Sequence, residues 1–361
     1  MNRLISLALL GLCMLTGLLV AACTPDAVRS KTPDALVIFP PPPDTTRIQY
    51  LTHFSTSEDV RGKRGGFHRY IFGEEEPMGI IKPYGITVRG SKVYICDTGL
   101  AGLVVLDLAE RTFENFIPGG KGQLQLPINS CLDDSGNLYV ADANRGQVVV
   151  FDSDLNYISA FGEPDSFRPT DVVVEGDRIF VANVHKHAIF VYRTETFEFL
   201  ERLSGSEAEG NGYLRQPTNV SLQNGNLYVS DFGDFNVKRF TQKGDFTGTI
   251  GGYGNGPGRF TRPKGIALDR DENLYVVDAA FDNVQIFDPA GNLLLHFGGS
   301  YKGPGAMWLP AAVEISYEHL SYFEPYVDDS FDLKYLIYVT NQYGPAKVNI
   351  YGFVEPRSTR P

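Results

Sequence analysis

The sequence is poor in positive charge and in cysteine. Its 32 Lys and Arg residues are outnumbered by 43 Asp and Glu residues, which gives a formal net charge of −11. Proteins that bind nucleic acid without sequence preference gain their affinity from Lys and Arg on phosphates, so this balance argues against a nucleic-acid partner. The 4 cysteines form no C-x-x-C-H motif, and we therefore expect no covalently attached c-type haem.

Motifs of several enzyme classes are also absent from the sequence. It contains neither a nucleophile elbow nor an H-E-x-x-H zinc motif. The glycine-rich run Gly251–Gly258 lacks the Lys-Ser/Thr pair and the following helix of a phosphate-binding loop. We assign no catalytic and no cofactor-binding residue from the sequence.

The main positive feature is a repeat. A period of about 45 residues indicates a solenoid or a propeller, and the sequence contains six such copies. Each copy opens its first predicted strand with a proline and closes its second with Asp or Asn. The prolines are Pro83, Pro127, Pro169, Pro217, Pro263 and Pro310, and the closing residues are Asp97, Asp142, Asn183, Asp231, Asp278 and Asn341.

Each copy contains four short predicted strands. The turn Asn224–Asn226 has the residues of a tight hairpin. The run Leu274–Val277 is apolar at every position, as expected for a blade covered on both faces. The sequence therefore predicts an all-β protein, a six-bladed β-propeller of four-stranded blades over residues 47–355.

The ring is predicted to close through its N-terminal strand. Arg47–Phe54 alternates like a strand ahead of the first copy, whereas the sixth copy ends after its third strand at Lys347–Phe353. The N-terminal strand would then supply the outer strand of the last blade and leave no unpaired edge there.

The repeat resembles a known family. A proline, a short strand, G-N-L-Y-V-x-D, a strand ending in Phe-Asp, a glycine and a fourth strand are typical of NHL-repeat propellers. WD40 repeats fit less well, because the chain has no Trp-Asp pair and Trp308 is its only tryptophan. The resemblance implies the fold alone, since a common fold hosts many functions.

Residues 1–22 are predicted to be a secretory signal peptide. Arg3 precedes a long apolar run, which is only just too short for the alternative, a membrane-spanning anchor. Val20–Cys23 resembles the lipobox of bacterial lipoproteins. That resemblance implies acylation of Cys23, and Thr24 after it implies sorting to the outer membrane. We therefore expect a lipid-anchored protein of the cell envelope.

The residues between the anchor and the propeller are rich in proline. Pro25, Pro33 and the run Pro40–Pro43 predict an extended polyproline II spacer over residues 23–46. Residues 356–361 are predicted to be a short C-terminal tail.

Two segments depart from the repeat. Ser55–Ile81 contains glycines, the cluster Phe67–Tyr70 and the acidic run Glu74–Glu76, and by strand order it lies on the face of the Asp/Asn positions. It could line the channel mouth or serve as structural cover. Ser316–Lys334, rich in aromatic and acidic residues, is predicted on the opposite face, as a partner-binding patch or as packing against the blade edge.

The Asp/Asn positions allow two interpretations. Oxygen ligands converging on an axis could hold Ca²⁺, but a short polar side chain after a strand can also hydrogen-bond backbone amides of a turn, and we predict the second. His185 and His187 are the only closely paired histidines, and only His68 could plausibly join them as metal ligands or base. The weak candidate ligands for Ca²⁺ or Zn²⁺ are Asp97, Asp142, Asp231, Asp278, His185 and His187.

Cys96 and Cys131 remain once Cys13 leaves with the signal peptide and Cys23 is acylated. They lie in adjacent predicted blades. An oxidising compartment would permit a disulfide, and buried free thiols are the alternative that we favour.

Three functions remain open at this point. The first is a non-enzymatic scaffold that binds an envelope protein or an extended ligand, with a role in assembling an envelope complex. The second is a metal-dependent lyase or lactonase, as in propellers of similar architecture, with its site at the channel mouth. The third is a sensing module with a small molecule in the channel.

Overall fold

The computed structural model describes residues 36–62, 76–162, 167–203 and 210–357. The signal peptide, Cys23, most of the spacer, His68 and the last four residues of the predicted tail lie outside these ranges. None of the helices within these ranges is both long and apolar enough to span a membrane.

Six antiparallel sheets form the six blades, which confirms the predicted fold. Blade 1 contains β3 (Pro83–Arg89), β4 (Lys92–Asp97), β5 (Gly102–Asp107) and β6 (Thr112–Phe116), and blade 2 contains β7 (Pro127–Leu132), β8 (Leu138–Asp142), β9 (Gln147–Phe151) and β10 (Tyr157–Phe161). Blade 3 contains β11 (Pro169–Glu175), β12 (Arg178–Asn183), β13 (Ala188–Arg193) and β14 (Phe199–Leu203), and blade 4 contains β15 (Pro217–Gln223), β16 (Asn226–Asp231), β17 (Asn236–Thr241) and β18 (Phe246–Gly251). Blade 5 contains β19 (Pro263–Leu268), β20 (Leu274–Asp278), β21 (Asn283–Phe287) and β22 (Leu293–Gly298).

Blade 6 joins the two ends of the folded chain. Its strand order is β1 (Ile38–Phe39), β2 (Ile48–Phe54), β25 (Val348–Pro356), β24 (Phe331–Asn341) and β23 (Pro310–Ser316). Strand β2 pairs with β25 from Ile48 opposite Phe353 to Phe54 opposite Val348, so the predicted closure is confirmed. The first strands of the six blades contact one another in a closed ring.

The propeller begins earlier in the chain than predicted. Strand β1 pairs with β2 through Ile38 opposite Gln49 and Phe39 opposite Ile48, so the prolines from Pro40 to Pro43 lie in the connection of a hairpin. An extended spacer is therefore wrong for this part of the segment. The reason is packing, because Val37 and Phe39 lie against the apolar cluster between blades 5 and 6.

A buried apolar side chain lies between each pair of blades, just before an inner strand. These residues are Ile80, Leu124, Phe167, Leu214, Phe260 and Met307, none more than 4% exposed. In blade 4 the outer strand ends at Gly251, which has φ +83°, and a Cβ there would lie 2.2 Å from Cε2 of Phe260. Only glycine permits both this backbone conformation and this close approach.

The insertion in blade 6 packs against the propeller. Strand β24 takes up the last residues of the predicted insertion, so the connection contains only two short 3₁₀ helices, Leu320–Tyr322 and Glu324–Tyr326. Phe323 is fully buried, with its ring centroid 6.3 Å from that of Phe54. Of the two predicted roles, packing against the blade edge describes these contacts.

The described ends of Ser55–Ile81 also pack on the propeller. A short helix, α1 (Ser57–Arg61), places Val60 in the same apolar cluster as Phe323. The amide of Ile80 donates to the Ser55 carbonyl at 2.8 Å, which pairs the two ends of the segment. The ends serve as structural cover, and residues 63–75 between them, with the aromatic cluster, lie outside the described ranges.

Candidate functional site

The two faces of the propeller are defined by the strand order. The proline face carries the six prolines, the turns between second and third strands, and the connections between blades. The hairpin face carries the turns between first and second and between third and fourth strands. The central channel runs between the two faces.

The buried acids at the proline face bind backbone amides of their own blade. Asp278 is fully buried and accepts hydrogen bonds from the amides of Thr261, Arg262 and Ala280 at 2.9, 3.0 and 3.0 Å. The same pattern of two amides preceding the proline recurs at Asp97, Asp142 and Asp231. These are the backbone hydrogen bonds that the sequence predicts.

The two Asn positions keep part of this pattern. Asn183 Oδ1 accepts from the amide of Arg168 at 3.1 Å, and Asn341 Oδ1 accepts from the amide of Trp308 at 3.0 Å. Each of the six side chains thus fixes the backbone that enters its own inner strand.

The two candidate histidines lie apart from these acids. His185 and His187 are exposed at the 3₁₀ helix Val184–Lys186. His187 contacts the Arg215 carbonyl through Nδ1 and stacks on Tyr213 at 6.1 Å between ring centroids. Within the described ranges no group of three or more His, Cys, Asp or Glu residues could hold a metal ion.

The channel contains a polar cavity of about 320 Å³, lined by the first strands of all six blades. Asp171 and Glu314 lie on blades 3 and 6, which the ring places opposite each other. Asp171 accepts hydrogen bonds from the amides of Val220 and Val172, both at 2.9 Å. No ion pair is formed by either carboxyl group with another described residue.

Burial controls the ionisation of these channel acids. It raises the pKa of Asp171 to about 7 against the effect of its hydrogen bonds. It also raises the pKa of Glu314 to about 8, with a further contribution from the charge of Asp171. Both carboxyl groups therefore exchange protons near neutral pH, which is a property of acid–base and ligand-binding sites.

The two cysteines are separate free thiols. Burial raises the pKa of Cys96 to about 12, and it raises the pKa of Cys131, which lines the channel, well above the ordinary range. The structure thus contains free thiols, as we favoured over a disulfide, with Cys96 buried and Cys131 half-buried in the channel wall.

At the proline-face mouth three cations come from blades 1 and 5. Lys82 and Arg262 precede the prolines of their blades, and Lys264 follows Pro263. Lys264 is only 7% exposed, with Nζ 5.1 Å from the ring centroid of Tyr84. Burial, followed by the charges of Arg262 and Lys82, lowers the pKa of Lys264 to about 8.

Exposed aromatic side chains lie on the loops of the proline face. They are Tyr253, Phe281, Tyr301, Trp308 and Tyr343, with exposed fractions from 37% to 72%. Lys82 Nζ lies 5.6 Å from the ring centroid of Tyr343. Exposed aromatic side chains and Arg are enriched at protein interfaces.

The hairpin face differs in charge. Its turns contain mainly acidic side chains, among them Asp133, Asp134, Asp152, Asp154, Asp271, Glu272, Asp288 and Glu318. The described turns of the hairpin face are thus predominantly negative.

Sequence reasoning missed Asp171, Glu314 and Lys264. Asp171 stands two residues after its proline, where the other blades have Gly85, Asn129, Asn219, Gly265 and Ala312. An ionisable residue at a position that is otherwise small or uncharged is the signal that could have found it.

Comparison with known proteins agrees with the fold. A family model described as a 6-bladed beta-propeller, DUF5128, matches residues 209–348. No curated protein sequence matches the chain significantly.

Solved structures extend this agreement over most of the chain. A gluconolactonase from Xanthomonas campestris is 14% identical with a TM-score of 0.57, over 90% of this chain and 97% of that one. A protein of unknown function from Bacteroides thetaiotaomicron is 14% identical with a TM-score of 0.58, over 85% and 76%. A streptogramin B lyase is 14% identical with a TM-score of 0.53, over 87% and 89%. Similarity at this level is one of fold, and the chain is a six-bladed β-propeller.

Proposed function

We propose that the protein is a lipid-anchored binding module of the bacterial cell envelope that holds a protein partner on its proline face. The anchoring part rests on the lipobox-like sequence Val20–Cys23. The binding part rests on one observation: the proline face displays exposed aromatic rings together with the cations Lys82 and Lys264, which form no ion pair with any other described residue.

The physical argument concerns solvation. Tyr253 and Tyr343 are 72% and 54% exposed, and covering large aromatic side chains is a main source of affinity at protein interfaces. The acidic turns of the hairpin face would repel an acidic partner there, so charge favours the proline face for such a partner.

The test is recovery of a partner from the native envelope with the acylated protein as bait. We expect one protein to be enriched by the wild type and lost with the double variant Tyr253→Ala/Tyr343→Ala. The control is Leu294→Ala, because Leu294 is 53% exposed but lies on an outer strand. A partner retained by the double variant, or lost equally with the control, would contradict the proposal.

A second function, ring opening of a lactone or elimination on a cyclic substrate, has one observation in its favour. Asp171 lies in the channel cavity with a pKa of about 7, in the range of a general base at neutral pH. Turnover of a lactone panel by the wild type, abolished by Asp171→Asn, would support this function over the scaffold.

A further inference from the structure

Lys264 is a buried cation without an anionic partner among the described residues. Its side chain makes no ion pair within them, and the face of the Tyr84 ring lies beside its ammonium group. Burial of an uncompensated charge is costly. The presence of a lysine at this position is explained if a bound anion neutralises the charge of its ammonium group for part of the time.

Two further cations are held at the same mouth by the backbone. The amide of Lys82 donates to Asp97 at 2.9 Å, and the amide of Arg262 donates to Asp278 at 3.0 Å. The buried carboxylates thus fix the main chain from which both side chains extend. Both charges are close enough to lower the pKa of Lys264, so the three cations share one electrostatic site.

We propose that Lys82, Arg262 and Lys264 form a subsite that receives a carboxylate from an acidic peptide segment of the partner. This inference rests on the proposed function and names the chemistry that the proline face recognises. Tyr343, 54% exposed, lies beside Lys82, and Trp308, 37% exposed, adjoins Tyr343; these rings would cover the peptide next to the carboxylate.

The shape of the mouth favours a peptide over an anionic bilayer. Lys264 is recessed, with 7% of its surface exposed, and a flat array of lipid headgroups would reach mainly Arg262 and other exposed cations. A single chain can insert a Glu or Asp side chain into the mouth. The bilayer is therefore an alternative that the experiment must separate.

The experiment measures binding of a labelled eight-residue poly-glutamate peptide to the purified protein. We expect Lys264→Met and Lys82→Ala to weaken binding about tenfold or more, since each removes a cation from a partly desolvated site. The matched control is Lys243→Met, because Lys243 is exposed on a hairpin-face turn and should leave binding unchanged. Binding should weaken as salt is added.

A second readout follows Lys264 directly. NMR titration of the lysine side-chain carbons should place the pKa of Lys264 near 8 in the free protein. Addition of the peptide should raise the pKa of Lys264, because a neighbouring carboxylate favours the charged ammonium group. If Lys264 had only a structural role, addition of the peptide would leave its pKa unchanged.

Two outcomes would overturn the inference. One is equal peptide affinity of the wild type and Lys264→Met. The other is binding of phosphatidylglycerol vesicles without binding of the peptide. If partner capture still depends on Tyr253 and Tyr343 in that case, the proposed function stands and the acidic-peptide subsite fails. If partner capture does not depend on Tyr253 and Tyr343 but the peptide still binds, the acidic-peptide subsite stands and the proposed function fails.

Discussion

The proline face and the hairpin face differ in where their acidic side chains point. At the proline face Asp278 is fully buried and holds three backbone amides. At the hairpin face of the same blade Asp288 binds Asn292 within an open turn. Buried acids of the proline face therefore stabilise the backbone that enters each inner strand, whereas acids of the hairpin face stabilise open turns.

The largest expected effect comes from removing a buried acid. Asp278→Ala leaves three part-buried backbone amides without their acceptor, and we expect the free energy of unfolding to fall by about 4 kcal/mol. Asp288→Ala in the same blade should cost clearly less, because water replaces its hydrogen bonds. Urea unfolding measures both values. Equal losses would show that the two faces do not differ in this way.

The second prediction compares two glycines of blade 4. Gly251→Ala, at the proline-face end, forces a Cβ to within 2.2 Å of the Phe260 ring at φ +83°, and should cost about 3 kcal/mol from strain and overpacking together. Gly225→Ala, at the hairpin turn, has φ +76° and nothing within 4 Å, so only the conformational cost of about 1 kcal/mol remains. Thermal and urea unfolding of the pair would test the difference.

The third prediction, with the smallest expected effect for a single pH unit, concerns the pH dependence of the free energy of unfolding. Asp171 and Glu314 have folded-state pKa values of about 7 and about 8, above their ordinary values of 3.8 and 4.5. The folded state therefore binds protons more tightly, and stability is lost as pH rises through these values. We expect the free energy of unfolding to fall by about 2 kcal/mol for each pH unit between about pH 5 and 8.

Variants in the channel and at the hairpin face test whether the channel acids cause this pH dependence. The double variant Asp171→Asn/Glu314→Gln should flatten the profile between pH 5 and 8. Hydrogen bonds to Asn292 lower the pKa of Asp288 below its usual range, so Asp288→Asn should leave the slope in this window unchanged. A slope that persists in the double variant would assign it to other groups.

Much of the fold follows from local sequence rules. The proline and the Asp of each repeat predict the blade and the amide hydrogen bonds, because both act within one blade. The pairing of β2 with β25 was predictable because the sixth copy lacks a strand. Strand β1 was not, since its few apolar residues stand among prolines and their partner surface comes from two different blades.

The channel mouth was beyond the reach of sequence reasoning for a different reason. Which residue of an inner strand faces the axis depends on how six blades are inclined around it. Lys82 and Lys264 belong to blades 1 and 5, which blade 6 separates in the ring. Their proximity therefore depends on the three-dimensional arrangement of three blades. The choice between the two roles predicted for Ser316–Lys334 likewise depended on whether Phe323 faces the core. Phe323 belongs to a buried apolar cluster of the propeller, and a single sequence does not show this contact.

The pairing of β2 with β25 in blade 6 also determines when the ring can close during synthesis of the chain. Strand β2 is synthesised long before its partner β25. A chain that emerges from its N-terminus must keep the edge of β2 unpaired until about 300 residues have followed. The ring is thus completed only after β25 has been made, and a product that ends before β25 would leave β2 with an open edge.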